Sequence, residues 1–145
     1  MAEESYTLTF DGYWREPNIS HLSEKSGIYG VYACTHNIDK KTVNIKRLLY
    51  IGEAKNVKAR VANHNKWKEW KGELRAGEVI CLNVAEISPE KDRHRAEAAM
   101  IFHHKPTCNI EYTENFPFGL TNITTKGKNS EMEISFSVEE TEKTA

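Results

Sequence analysis

Ser26-Gly27-Ile28-Tyr29 and Leu49-Tyr50-Ile51-Gly52 decide how this chain folds. Each block sets a tyrosine beside a glycine within a short β-branched or aliphatic run, which is strand composition. Successive strand residues alternate between faces, so each strand carries one phenol toward a shared site. Tyr29 and Tyr50 are therefore the first candidates for chemistry, and Arg60 and His64 follow them closely in the chain.

Working outward, residues 27–34 read as one strand and 47–51 as its antiparallel partner, joined by a long polar loop over 35–46. Asn56 is suited to cap a helix running to about Lys71, with Gly72 as its stop. Residues 78–87 read as a third strand. Ser88-Pro89 opens a second helix, which Pro106 ends near His104. The order is strand, strand, helix, strand, helix. Before it, residues 5–10 alternate as a short strand ahead of an Asp11-Gly12 turn, and an extension over 1–22 is expected to pack on the domain. The domain itself is expected over 23–112. Residues 113–145 form a C-terminal extension, with an edge strand at 132–138 and a disordered acidic tail from 139.

A chain of 145 residues, 39% hydrophobic, suffices for one domain with a modest core. No apolar run approaches the roughly 18 residues of a membrane span, and the N-terminus lacks a signal-peptide pattern. The expectation is a soluble, cytoplasmic protein. Cys34, Cys81 and Cys108 are odd in number and form no C-x-x-C pair, which fits a reducing compartment and three buried structural thiols.

The formal net charge of −1 would argue against a nucleic-acid binder if it were evenly spread. It is not. Residues 55–75 hold seven Lys or Arg against Glu69 and Glu73, a local balance of +5, whereas the chain from Glu131 onward carries −4. A local basic face matters more than the total. On the first helix, a 100° step per residue puts Arg60, His64, Trp67 and Lys71 on one stripe. Guanidinium, imidazole and ammonium together suit phosphate recognition. The plainer reading is a solvated helix face with a half-buried tryptophan.

On the second helix, Glu97 stands among Ala96, Ala98, Ala99, Met100, Ile101 and Phe102, a setting that calls for a partner. Arg93, four residues earlier, is one candidate, although that order makes the weaker pair. A divalent ion is the other, since Mg²⁺ takes one or two carboxylates and completes its shell with water and phosphate. A soft-metal site at His103, His104 and Cys108 is a remote third.

These residues resemble the GIY-YIG nuclease superfamily. Gly27-Ile28-Tyr29 and Tyr50-Ile51-Gly52 look like its two name-giving blocks, Arg60 follows in place, and Glu97 and Asn109 resemble its metal-binding glutamate and trailing asparagine. The resemblance implies an α+β architecture: a small, three-stranded, largely antiparallel sheet flanked by helices, with N- and C-terminal extensions. It also implies a metal-dependent endonuclease hydrolysing phosphodiester bonds in DNA, with one Mg²⁺ or Mn²⁺ per active site.

In that carry-over Glu97 holds the ion, Tyr50 deprotonates the attacking water, and Arg60 stabilises the charged transition state. Tyr29 and Asn109 shape the site. A free phenol has pKa near 10, so Tyr50 needs help, and His64 is the candidate relay. A histidine at this place resembles restriction-type or stand-alone members, and Glu53 stands where excision-repair nucleases carry lysine, so both lean away from the repair branch. Lys55, Lys58, Lys66, Trp67, Lys68 and Lys71 are the expected nucleic-acid contacts. A homodimer is expected if both strands are cut. The competing readings are a non-catalytic nucleic-acid-binding module, or a protein-interaction domain using Tyr112, Phe116, Phe118 and the acidic tail. The intact set of Tyr29, Tyr50, Arg60, Glu97 and Asn109 favours the enzyme.

Overall fold

The computed structural model describes residues 2–142. Its strands are β1 (Glu4–Arg15), β2 (Gly27–Asn37), β3 (Thr42–Ala54), β4 (Val79–Glu86), β5 (Thr121–Gly127) and β6 (Ser135–Val138). Its helices are α1 (Val57–Ala62), α2 (Trp67–Gly72) and α3 (Glu90–His104), with a 3-10 turn at Glu16–His21. The α+β class stands, but the sheet has six strands in the order β3-β2-β4-β1-β5-β6 instead of three. The core trio β3-β2-β4 is antiparallel. To it the N-terminal extension adds β1, antiparallel to β4 and parallel to β5, so the extension is a central strand of the sheet.

Three local corrections have physical causes. The loop expected over 35–46 is mostly strand: β2 and β3 stay paired out to Asn37 and Thr42, leaving only a tight turn. Asn37 Oδ1 accepts from Lys40 N–H to close that turn, and Val43 and Ile45 alternate with exposed Thr42, Asn44 and Lys46. Strand β5 lacks an apolar alternation because, of its inward residues Thr121, Ile123 and Thr125, two are polar. Thr121 Oγ1 accepts from the buried Arg95 at 2.8 Å, and Thr125 Oγ1 donates to the Glu133 carbonyl at 2.8 Å. The single helix expected from Asn56 to Lys71 is broken into α1 and α2. Asn56 caps α1 through Ala59 N–H, but Asn63 Nδ2 bonds back to the Ala59 carbonyl and His64 Nδ1 accepts from Lys66 N–H. Side chains that bond to nearby backbone compete with helix continuation.

Two apolar layers cover the sheet. Helices α1 and α2 lie over Tyr29, Val31, Leu49, Leu82 and Val84 through Val57, Val61 and Trp70. Helix α3 covers the other face, packing Ala96, Ala99 and Met100 on Ile28, Ile51 and Phe10. Buried Asn83 of β4 ties strands together: Oδ1 accepts from Gly30 N–H, and Nδ2 donates to Tyr32 and to the Lys128 carbonyl. The expectation of three free thiols is also corrected. Cys34 and Cys81, on neighbouring strands, form a disulfide, and only Cys108 is free and buried among the described residues. The tail is described as far as Glu142, and Thr141 pairs with Phe116 through both its N–H and its hydroxyl. The remaining tail positions expected to be disordered lie outside the described residues. No helix among the described residues is long and apolar enough to cross a membrane.

Candidate active site

Tyr29 and Gly52 face each other across β2 and β3, and Tyr50 lies two residues back along β3 on the same face. Gly52 has no side chain, so the Tyr29 phenol lies over it; a Cβ there would overlap the phenol ring and hydroxyl. That opening lets the two phenol rings approach to 6.3 Å between centroids. The glycine of the second block is thus a spacing device for the tyrosine of the first.

His64 closes the cluster. The break between α1 and α2 turns it inward, where its ring lies 5.5 Å from Tyr50, 6.3 Å from Tyr29 and 4.7 Å from Trp70. The stripe of Arg60, His64, Trp67 and Lys71 expected from one continuous helix therefore does not form. Burial, helped by Arg60 and Lys66, lowers the His64 pKa to about 4, so the imidazole is neutral near pH 7. With Nδ1 accepting from Lys66 N–H, the proton sits on Nε2. His64 Nε2 and Trp70 Nε1 are buried and have no hydrogen-bond partner among the described residues. Two N–H donors beside Tyr50 thus lack an acceptor. Burial pushes Tyr50 up to about 12 and raises Tyr29 further, with Glu97 opposing ionisation of Tyr50 and Arg60 favouring it.

Glu97, on α3, is half-buried and makes no hydrogen bond or ion pair among the described residues. Burial, then Glu53 and Glu111, push its pKa up to about 8, against a smaller opposite effect of Arg93. Arg93 is not its ion-pair partner: it bonds Glu53 and Ser26, and His94 lies 3.4 Å from Glu53. Such a carboxylate fits a divalent ion, which would supply the missing countercharge. Among the described residues no group of three or more His, Cys, Asp or Glu gathers into a metal cage, so one carboxylate with water and phosphate is the compatible donor set. The soft-metal alternative is not built. His103 stacks on Phe136, His104 bonds Met100 and Glu133, and Cys108 lies in the opposite apolar layer.

Asn109 sits against the edge strand β3. Its side chain bonds Ile51 N–H and carbonyl, while Cys108 N–H donates to the Leu49 carbonyl at 2.8 Å, so both neighbours of Tyr50 are held. Arg60 is exposed, and its side chain makes no hydrogen bond or ion pair among the described residues. The expected phosphate contacts divide. Lys55 and Lys68 are exposed and unpaired among the described residues, but Lys58, Lys66 and Lys71 pair with Glu24, Glu69 and Glu16. Trp67 donates to the Val61 carbonyl and packs on Trp70, so it is a wall of this layer. Reading residues alone missed the spacing role of Gly52 and the Glu53–Arg93 pair. The glycine was visible in the motif; the pair joins β3 to α3 and has no local signature.

Residues 28–110 match the GIY-YIG catalytic domain. The chain belongs to the GIY-YIG family, which supports a nuclease of that type. It is 37% identical over 100 residues to the UvrABC system protein C of Thermosipho africanus, covering 68% of this chain and 16% of that protein. It is 32% identical over 102 residues to the UvrABC system protein C of Fervidobacterium nodosum, covering 69% and 16%. A third UvrABC system protein C, from Hydrogenovibrio crunogenus, is 29% identical over 99 residues, covering 67% and 14%. The chain thus spans only 14–16% of the length of these relatives. All three are UvrABC system protein C, the group to which His64 and Glu53 suggest less likeness, so overall similarity and those two positions point in different directions. No solved structure gives a significant match.

Proposed function

We propose that this protein is a metal-dependent endonuclease that hydrolyses phosphodiester bonds in DNA. The observation that carries the reading is the convergence of two phenols and a buried neutral imidazole, with unpaired Glu97 coupled electrostatically to both phenols. Glu97 would hold one Mg²⁺ or Mn²⁺, which supplies Lewis-acid stabilisation of charge on the phosphate when bound. Arg60, exposed and unpaired, offers its planar fork to phosphate oxygens and to the charge that grows there.

Tyr50 is the base in this reading. With a pKa of about 12 it needs its anion stabilised, and the ring N–H groups of His64 and Trp70 are donors without acceptors beside it. His64 therefore serves as a donor to the phenolate or to substrate oxygen, in place of the proton-accepting relay expected from sequence. Its Nδ1 is already engaged, which leaves no free lone pair on the ring. Asn109 positions Tyr50 through Ile51, and Tyr29 packs its ring against that of Tyr50.

The test is incubation with supercoiled plasmid and Mg²⁺ or Mn²⁺, beside Glu97→Gln and a chelator control. Cleavage lost in both controls supports the reading. Absence of cleavage under all conditions, with salt-sensitive DNA binding retained, favours a binding module of the same fold. One small site per chain means that cutting both strands takes two subunits or two successive nicks.

A further inference from the structure

We propose that the cleft between the β2–β3 turn and β1 is a second phosphate-binding surface, which holds nucleic-acid backbone away from the two tyrosines; it rests on the nuclease reading above. Strand β4 pairs with β2 only as far as Val79 opposite Cys34, whereas β2 and β3 run on together to Asn37 and Thr42. On the other side, β1 leaves β4 at Arg15 opposite Cys81. The projecting hairpin and β1 enclose a cleft of about 730 Å³.

Arg15 and Asn18 line it from β1 and the turn that follows, His36 and Lys41 from the hairpin, and Lys128 from the segment after β5, with Tyr13 in the wall. Among the described residues no carboxylate lines it. The side chains of Arg15, His36, Lys41 and Lys128 make no hydrogen bond or ion pair among the described residues. Of the acids near these residues in sequence, Glu131 is exposed and lies within electrostatic reach of Tyr32 but is not among the residues lining the cleft. The others are engaged or turned elsewhere. Asp11 accepts from Gly12 N–H, Glu16 is held by Lys71 at 2.9 Å, and Asp39 lines the adjoining hollow of the hairpin.

That arrangement contrasts with the basic run of α1 and α2, where Lys58, Lys66 and Lys71 are already paired with carboxylates. Unpaired cations facing one concavity have no partner among the described residues, and polyanionic backbone is the ligand that matches them by charge and by shape. An arginine fork and two ammonium groups would contact phosphate oxygens, and Tyr13 with Asn18 adds a ring face and an amide for sugar or base. Arg15, Asn18 and Lys128 lie outside the matched residues 28–110, so the cleft arises where the extensions of this chain meet the catalytic domain. Along β2, Tyr29 and His36 are at most roughly 23 Å apart at ~3.3 Å per residue. At ~3.4 Å per phosphate along one strand, that span is about seven base pairs of a duplex.

The experiment measures binding of a short fluorescein-labelled duplex to the full chain over a salt series, in the Glu97→Gln background so that the DNA stays intact. Arg15→Gln, Lys41→Gln and Lys128→Gln are combined in one variant, and Lys46→Gln, Lys91→Gln and Lys126→Gln in a control that removes the same charge elsewhere. We expect the cleft variant to lose roughly two to three units of the salt slope, at ~0.9 per phosphate contact, and at least tenfold in affinity, with the control nearly unchanged. Matching melting curves exclude unfolding as the cause, and Arg15→Lys with the other two residues restored should recover most of the slope. Equal slopes for cleft variant and parent, or equal losses in variant and control, overturn the cleft while leaving plasmid cleavage to judge the nuclease reading. DNA binding that depends on the cleft in a chain that never cleaves overturns the nuclease reading alone, and a parent that binds no DNA at any salt overturns both.

Discussion

The side-chain amide of Asn109 takes the place of a neighbouring strand for Ile51. Its Oδ1 accepts from Ile51 N–H at 2.9 Å and its Nδ2 donates to the Ile51 carbonyl at 2.9 Å. Edge strand β3 would otherwise expose these groups beside Tyr50. Asn109→Ala should therefore cost about 1–3 kcal/mol, seen as a lower urea midpoint. Plasmid nicking should fall at least tenfold, because Tyr50 loses its fixed backbone. Asn109→Asp should do no better, since it would set an oxygen against the Ile51 carbonyl. Wild-type nicking by a folded Asn109→Ala protein would remove Asn109 from the site.

Gly52→Ala tests the spacing of the two phenols. A new Cβ would overlap the Tyr29 phenol, which is 1% exposed and can move only by disturbing its packing. We expect about 1–3 kcal/mol of destabilisation from overpacking. Cleavage should fall much further than the folded fraction does, because the phenol must swing away from Tyr50. Parallel losses of folded protein and of activity would reduce Gly52 to a packing role.

Much of the centre of the fold was legible because its signals are local. The two tyrosine blocks, the Asn56 cap and the Pro89 to Pro106 window each lie within a few residues, and the structure places strands or helices at each. The break at Asn63 to Lys66 was not legible by periodicity, since it comes from side chains bonding to backbone and interrupts a pattern that continues on both sides. Strand β5 hides because threonines fill two of its three inward positions, leaving Ile123 as the single apolar one. The Glu53–Arg93 pair and the Cys34–Cys81 disulfide each join elements far apart in the chain, where spacing carries no information.

The cysteine pairing has a direct readout. Cys34 and Cys81 are bonded and Cys108 is free and buried, with burial raising its thiol to about 11. Denatured without reductant, the protein should give one reactive thiol per chain, and three after reduction. Three thiols before reduction would restore the expectation of free cysteines.

His64 should stay neutral well below the usual histidine range. Its folded pKa is lowered to about 4 from 6.5, so its contribution to stability is complete above about 6.5 and is lost as pH falls toward 4. An NMR titration should show no step for His64 between pH 7 and 5. His64→Ala should abolish cleavage yet leave the acid limb of unfolding shallower than in the parent. A midpoint near 6.5 would contradict the buried, Nε2-protonated state.

Glu97 gives the opposite slope. Its folded pKa of about 8 lies above the unfolded value near 4.5, so the unfolded chain releases its proton first as pH rises. Without a divalent ion, stability should fall between about pH 4.5 and 8, by up to about 5 kcal/mol at ~1.4 kcal/mol for each pH unit between the two values. Glu97→Gln removes this penalty, so the metal-free variant should melt higher than metal-free parent at pH 8. Added Mg²⁺ or Mn²⁺ should raise the melting temperature of the parent and leave that of the variant unmoved, because only the ionised carboxylate binds the ion. The same proton competition predicts that the metal concentration needed for half-maximal stabilisation falls as pH rises toward 8. Calorimetry over that range, run on both proteins, reads both effects. A pH-independent difference between them, or equal metal stabilisation, would show that Glu97 neither titrates near 8 nor holds the ion.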